Sequence, residues 1–85
     1  MTSSTNDIRV HVTGALQAAV LRPAEIEGRT RIVQDLGLDS LAVMNLMMAL
    51  EDHYDVSIPL DRVAEIVTVD DLVRAVTQLT QNERA

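Results

Sequence analysis

Apolar residues at Ile8, Val12, Ala15, Leu16 and Ala19 recur at the three- and four-residue spacing of one helix face, which predicts a first helix from about Asp7 to Val20. Ser4 to Asn6 offer N-caps ahead of it, and Pro23 stops it. A second set, Val43, Leu46, Met47, Leu50 and Tyr54, predicts a helix opening at Asp39 or Ser40 and ending near Tyr54, before Asp55 and the Val56-Ser57-Ile58-Pro59 breaker. Leu41, Met44 and Met48 form another apolar row on an adjacent face. That row fits either a strip for partner contact or a central helix buried on several sides. Leu60 to Ile66 fits a short third helix. Thr68 with Asp71 three residues on is a close relative of the capping box, and Val67 and Leu72 stand where a hydrophobic staple would put them. A fourth helix therefore starts here, carries Leu72, Val73, Val76 and Leu79 on its inner face, and ends near Thr80.

Between Arg22 and Leu38 lies a connection too long to be left structureless in a small domain. Ile26, Val33 and Leu36 are expected to pin it across the helices, with a short helical turn near Arg31 to Gln34. No strand pattern competes, and there is no internal repeat. The reading is all-α, a small four-helix bundle with a long first loop and a short third helix. Residues 6–80 form one domain between flexible tails at 1–5 and 81–85.

Composition narrows this further. A chain of 85 residues is near the size below which a single core struggles against chain entropy, and without cysteines neither disulfides nor thiolate metal sites can help. Stability must come from helix packing and capping, around a core that is aliphatic and methionine-filled because Tyr54 is the only aromatic ring of the Phe, Trp and Tyr class. The cysteine-free composition, the lack of a span-length apolar run and the polar N-terminus Met-Thr-Ser-Ser-Thr-Asn-Asp lead to the expectation of a cytoplasmic protein, neither exported nor membrane-inserted. A net charge of −6, with arginine as the sole basic residue type besides histidine, argues against nucleic acid. It suits a partner with a basic docking surface, and equally it suits plain solubility.

The concentrated chemistry lies in Asp35-Leu36-Gly37-Leu38-Asp39-Ser40-Leu41, where a serine stands at a helix entrance. Ser40 could cap, catalyse or carry. A hydrolase needs a base within hydrogen-bond reach of the hydroxyl. His53, thirteen residues further along the same helix, lies about 20 Å away at 1.5 Å per residue. His11 is not excluded by distance, but the G-x-S-x-G elbow is absent. Two isolated histidines without cysteine match no zinc spacing, so neither a metal site nor a catalytic residue is assigned. Glu51, Asp52 and Asp55 read first as a solvated helix end and second as a docking patch.

The D-S-L core in its L-G-L-D-S-L context, followed by Asp55-Val56-Ser57-Ile58-Pro59 and the restart at Thr68 to Leu72, resembles the acyl carrier protein family. The resemblance implies a four-helix bundle with a 4′-phosphopantetheine arm on Ser40, attached by a separate phosphopantetheinyl transferase from coenzyme A with Mg²⁺. Such a chain is no enzyme. It is expected to act as a monomer and to hold acyl groups as thioesters for acyl-loading and acyl-consuming synthases. The resemblance gives Asp39 the support of the modification site, makes Leu41, Met44 and Met48 a docking row, and makes Glu51 and Asp52 its acidic flank. Ala42, Asn45 and Leu60 stand where relatives are often acidic, which suggests a specialised discrete carrier for lipid or polyketide-type biosynthesis. An aminoacyl or peptidyl carrier, or an adaptor that never receives an arm, are the other readings.

Overall fold

Thr30 and Gly28, both in the long loop, lend their carbonyls to the start of the last helix, and the rest of the architecture is arranged around that junction. The computed structural model describes residues 5–20 and 24–83, with only the backbone described at 82 and 83. Four helices follow one another: α1 (Thr5–Ala19), α2 (Ser40–Tyr54), α3 (Leu60–Glu65) and α4 (Val69–Glu83). Helix α1 packs chiefly against α4 and secondarily against α2. Among the described residues the only extended pairing is a single antiparallel bridge between Arg31 and Thr68.

The core collects the stripes that the spacing predicts. Ile8, Val12 and Leu16 of α1, Leu46, Met47 and Leu50 of α2, and Val69, Leu72, Val73 and Val76 of α4 are all buried. Val43, Tyr54 and Leu79 pack half-buried around them. No residue of α3 is fully buried; Val63 alone of that helix leans on the core, with Ile66 just beyond its end. Helix α2 ends on Asp55, whose left-handed backbone (φ 56°, ψ 49°) turns the chain back. Aspartate tolerates that conformation better than most residues because its short polar side chain bonds locally.

Three expectations needed revision. In the loop it is Ile32, 2% exposed, that enters the core, while Val33 stands 54% exposed. The cause is backbone pairing: Ile32 N–H donates to Val67 O at 2.9 Å, which fixes the direction of its side chain and turns its neighbour outward. Ile26 and Leu36 do pack on the core, and a turn over 32–36 closes with Asp35 N–H donating to Arg31 O at 2.9 Å. Helix α4 continues to Glu83 rather than stopping near Thr80. Gln81 and Asn82 are polar but not breakers, so each added residue still gains a helical bond. Helix α1 opens at Thr5, inside the stretch expected to be tail; residues 1–4, 84 and 85, and the Pro23 stop, lie outside the described residues.

The start of α4 shows why the long loop needs no regular structure. A helix begins with N–H groups that lack intrahelical partners. Here Val69 N–H donates to Thr30 O at 3.0 Å and Asp70 N–H to Gly28 O at 2.8 Å, both in the loop. Asp71 N–H donates to Thr68 Oγ1 at 3.1 Å, while Asp71 Oδ2 accepts from Thr68 N–H at 3.1 Å and Val67 N–H at 3.0 Å, so the predicted capping box is formed. Arg9 of α1 pairs with the Asp70 carboxylate at 2.8 Å. That carboxylate lies 2.5 Å from where a Cβ on Gly28 would stand, so any larger residue here must displace the Asp70 side chain.

Two outcomes follow from the junction. The bonds from Thr68 and then Val67 N–H hold the Asp71 carboxyl below its ordinary 3.8. Its stabilisation is therefore complete above about pH 4 and is lost as the pH falls through the lowered folded value. Asp71→Ala should cost about 1 kcal/mol at neutral pH in urea unfolding and flatten the acid limb of the stability profile. Gly28→Ala should push the Asp70 carboxylate off Arg9 at a cost of up to about 1 kcal/mol, and that cost should shrink in an Arg9→Gln background, as a double-mutant cycle would measure.

Candidate functional site

The approach to α2 is assembled from the motif one residue at a time. Asp35 folds back on its own turn, its Oδ2 accepting from Arg31 N–H at 2.8 Å and its Oδ1 from the Arg31 guanidinium at 3.3 Å. The backbone bond, then the side-chain bond, holds this carboxyl below the usual carboxylate value. Gly37 takes φ +71°, a left-handed conformation that suits glycine. Leu38 then sinks into the core as an anchor immediately before the site.

Asp39 is the N-cap. Its backbone is extended (φ −87°, ψ 177°), its Oδ1 accepts from Ala42 N–H at 2.8 Å, and its carbonyl accepts from Val43 N–H at 3.0 Å. With the aspartate capping, the adjacent serine is released from that duty. Ser40 is exposed as the first residue of α2, and among the described residues its hydroxyl makes no hydrogen bond. It stands at the positive end of the α2 dipole, beside the first-turn N–H groups, a setting that favours a phosphate ester. An exposed, unengaged hydroxyl at a helix N-terminus fits a covalently attached phosphate arm.

Neither histidine serves that hydroxyl as a base. The His11 ring stacks on His53 with centroids 3.9 Å apart and planes 11° from parallel, and Tyr54 meets both edge-on. Since His53 is in the last turn of α2, this pairing carries His11 as well about 20 Å from Ser40. The hydrolase option that His11 had left open is closed by that geometry. Among the described residues no group of three histidine or carboxylate side chains is placed to hold a metal ion.

The second apolar row of α2 is at the surface rather than buried on another side. Leu41, Met44 and Met48 are 70%, 41% and 61% exposed. At helical spacing they share a face with Asp52, which is also exposed and one turn beyond Met48. Glu51 differs: it is half-buried, and its Oε2 accepts from Ile58 N–H at 2.7 Å, bracing the α2–α3 connection. One feature escaped the residue-by-residue reading. No lysine or arginine occurs between Arg31 and Arg62, and the Arg9–Asp70, Arg29–Glu27, Arg31–Asp35 and Arg74–Asp71 ion pairs lie off α2. The spacing of arginines along the chain carried that signal.

Known proteins resemble the chain across the helices described above. Residues 12–76 match the family model described as the phosphopantetheine attachment site. The chain is 40% identical over 77 residues to the "Probable acyl carrier protein" of Caulobacter vibrioides, covering 89% of this chain and 90% of that one. It is 43% identical over 54 residues to the acyl carrier protein of Wolinella succinogenes, covering 64% and 71%. Among solved structures, the hexanoyl acyl carrier protein from the actinorhodin polyketide synthase in Streptomyces coelicolor superposes with a TM-score of 0.73 at 26% identity, covering 96% of this chain and 95% of that one. With a family model matching 12–76 and a relative 40% identical along nearly its whole length, the chain belongs to the acyl carrier proteins, carriers rather than catalysts, whose prosthetic group is a covalently attached 4′-phosphopantetheine.

Proposed function

We propose that Ser40 is the attachment residue and that the chain delivers acyl thioesters to enzymes of lipid or polyketide-type biosynthesis. The observation that carries this reading is the exposed Ser40 hydroxyl, free of any hydrogen bond among the described residues because Asp39 has taken the capping role. The first-turn N–H groups of α2 would stabilise the phosphate; Asp39, itself an anion, would hold the helix start in place and offer a carboxylate edge to the transferase and its metal. When attached, the arm supplies the thiol that holds the acyl group. A tether keeps the substrate at high local concentration between successive partners. Because the phosphopantetheinyl transferase brings the base, the carrier needs none.

The partner face is the row Leu41, Met44 and Met48, flanked by Asp52, with Glu51 contributing mainly by fixing the chain that leads into α3. A stretch without arginine or lysine from 32 to 61 makes that face negative, which suits acyl-loading and acyl-consuming synthases with basic surfaces around an apolar cleft. Ala42, exposed Asn45 and Leu60, 73% exposed, make the contact less charged and more apolar than a denser acidic row would. The carrier works as a monomer in the cytoplasm; no helix of the described residues is long and apolar enough to cross a membrane. The polyketide-type assignment draws on the likeness to the actinorhodin carrier.

Intact-mass measurement after incubation with coenzyme A, Mg²⁺ and a broad-specificity phosphopantetheinyl transferase should show one arm on the wild type and none on Ser40→Ala. An equal gain on the variant would move the attachment elsewhere. Asp39 separates its two roles: Asp39→Ala should lose about 1 kcal/mol of thermal or urea stability, whereas Asp39→Asn keeps the cap. Arm transfer to Asp39→Asn should nevertheless slow, read as a lower kcat/KM of the transferase on a carrier that melts like the wild type.

A further inference from the structure

The chain has no cysteine and no tryptophan, which leaves methionine as its side chain most open to oxidation by peroxide, and three of its four methionines stand between 44 and 48 on α2. Helix α2 divides the three. Met47 is 3% exposed and belongs to the core with Leu46 and Leu50, whereas Met44 and Met48 stand 41% and 61% exposed. Ser40, Met44 and Met48 follow one another at four-residue intervals, so both exposed thioethers lie on the ridge that begins at the serine, about 6 Å and about 12 Å along the helix axis. An enzyme that covers Ser40 therefore reaches Met44 first and Met48 next. Leucine would serve an apolar row equally well, with much the same helix propensity. What sets methionine apart is a sulfur whose apolar character can be removed and restored without a change of sequence.

We propose that Met44 and Met48 form a peroxide-responsive modification site, at which conversion of the thioethers to sulfoxides lowers acceptance of the carrier by enzymes that act at Ser40. The inference rests on the reading of Ser40 as the attachment residue and of the row behind it as the partner face. In each step a lone pair of the methionine Sδ attacks the terminal oxygen of a hydroperoxide, and the O–O bond breaks as the S–O bond forms. Sulfur gives up two electrons to the peroxide. The proton of the transferred oxygen passes to the departing oxygen, which leaves as water when the oxidant is hydrogen peroxide and as an alcohol when it is an organic hydroperoxide.

The product is a polar, chiral side chain in place of a flexible apolar one. Covered by a partner, its oxygen is removed from water and needs a hydrogen bond that an apolar cleft does not supply. The fold itself is indifferent to the change, because Met44 and Met48 face solvent and take no part in the buried cluster. Met47 is the opposite case: an oxygen on its sulfur would enter the aliphatic core among Leu46, Leu50 and the stripes of α1 and α4. Burial protects it. A single position along the helix thus separates a change in recognition from damage to the core, and reduction of the sulfoxides returns the surface to its starting state.

The test uses the full chain before the arm is attached, so that the thiol of the arm does not compete for the oxidant. Hydrogen peroxide is added, then removed with catalase before coenzyme A, Mg²⁺ and a broad-specificity phosphopantetheinyl transferase are supplied. Fragment mass spectrometry should find one added oxygen on each of Met44 and Met48 while Met47 is still reduced. The melting temperature should stay within about 3 °C of the untreated chain. Transferase kcat/KM on the oxidised carrier should fall on the order of tenfold, and methionine sulfoxide reductases should restore it. In Met44→Leu/Met48→Leu, which retains Met1 and Met47, peroxide treatment should leave that variant's own rate where it started. An unchanged rate on the oxidised wild type, a loss that the reductases do not reverse, or the same loss in the double variant would each overturn the proposal. Oxidation of Met47 in step with the other two, with a collapsed melt, would do so as well. No transfer to the untreated chain is a different failure, which removes the attachment reading and this modification site with it.

Discussion

The carbonyls of Gly28 and Thr30 meeting the first N–H groups of α4 are the contact on which this small bundle depends. A helix start left unpaired inside a protein costs free energy for every donor removed from water. Here the need for acceptors is met by a loop that has no regular structure of its own, and the same bonds determine where that loop runs. From the junction the chain has only Arg31 to Gly37 in which to turn before Leu38 re-enters the core. The position of Ser40 is thus set at a distance by α4, although the two elements are far apart in sequence.

How far the sequence discloses this structure depends on the range of the interaction. Local rules were sufficient for the Asp39 cap, the Thr68–Asp71 box, the end of α2 at Asp55 and the buried stripe of Leu46, Met47 and Leu50, because each is decided within about one or two turns of helix. They failed at Ile32 and Val33. Two adjacent β-branched residues are interchangeable in a hydrophobic pattern, and only the bond from Ile32 to Val67, thirty-five residues away, selects between them. The His11–His53 stack was hidden for the same reason: each residue alone reads as a polar surface position on its own helix. At the site itself, the spacing marked out the apolar row but left open whether it faced solvent, and the inward turn of Glu51 was not legible. Its carboxylate turns inward on a backbone N–H that no periodicity shows.

Division of labour between Asp39 and Ser40 explains why the motif needs both. Serine is itself a good capping residue, and a serine at the N-cap position would turn its hydroxyl onto the helix backbone. Moving the cap one residue earlier, to an acceptor with no proton to give, leaves the hydroxyl in solvent while keeping the helix end satisfied. Meanwhile the negative cap and the positive helix end hold opposite partial charges side by side at the surface. The face that follows has apolar side chains but no guanidinium, so electrostatics and apolar contact point to the same side of the molecule.

The lack of aromatic residues elsewhere has a practical corollary for the cluster at the far end of α2. Tyr54 is the single residue of the phenylalanine, tyrosine and tryptophan class in the chain, and its ring touches both imidazoles. Its near-ultraviolet absorption and emission therefore come from one place, with no background from a core phenylalanine or tryptophan. The chain carries its own optical reporter of how α1 sits on α2, readable in unlabelled protein.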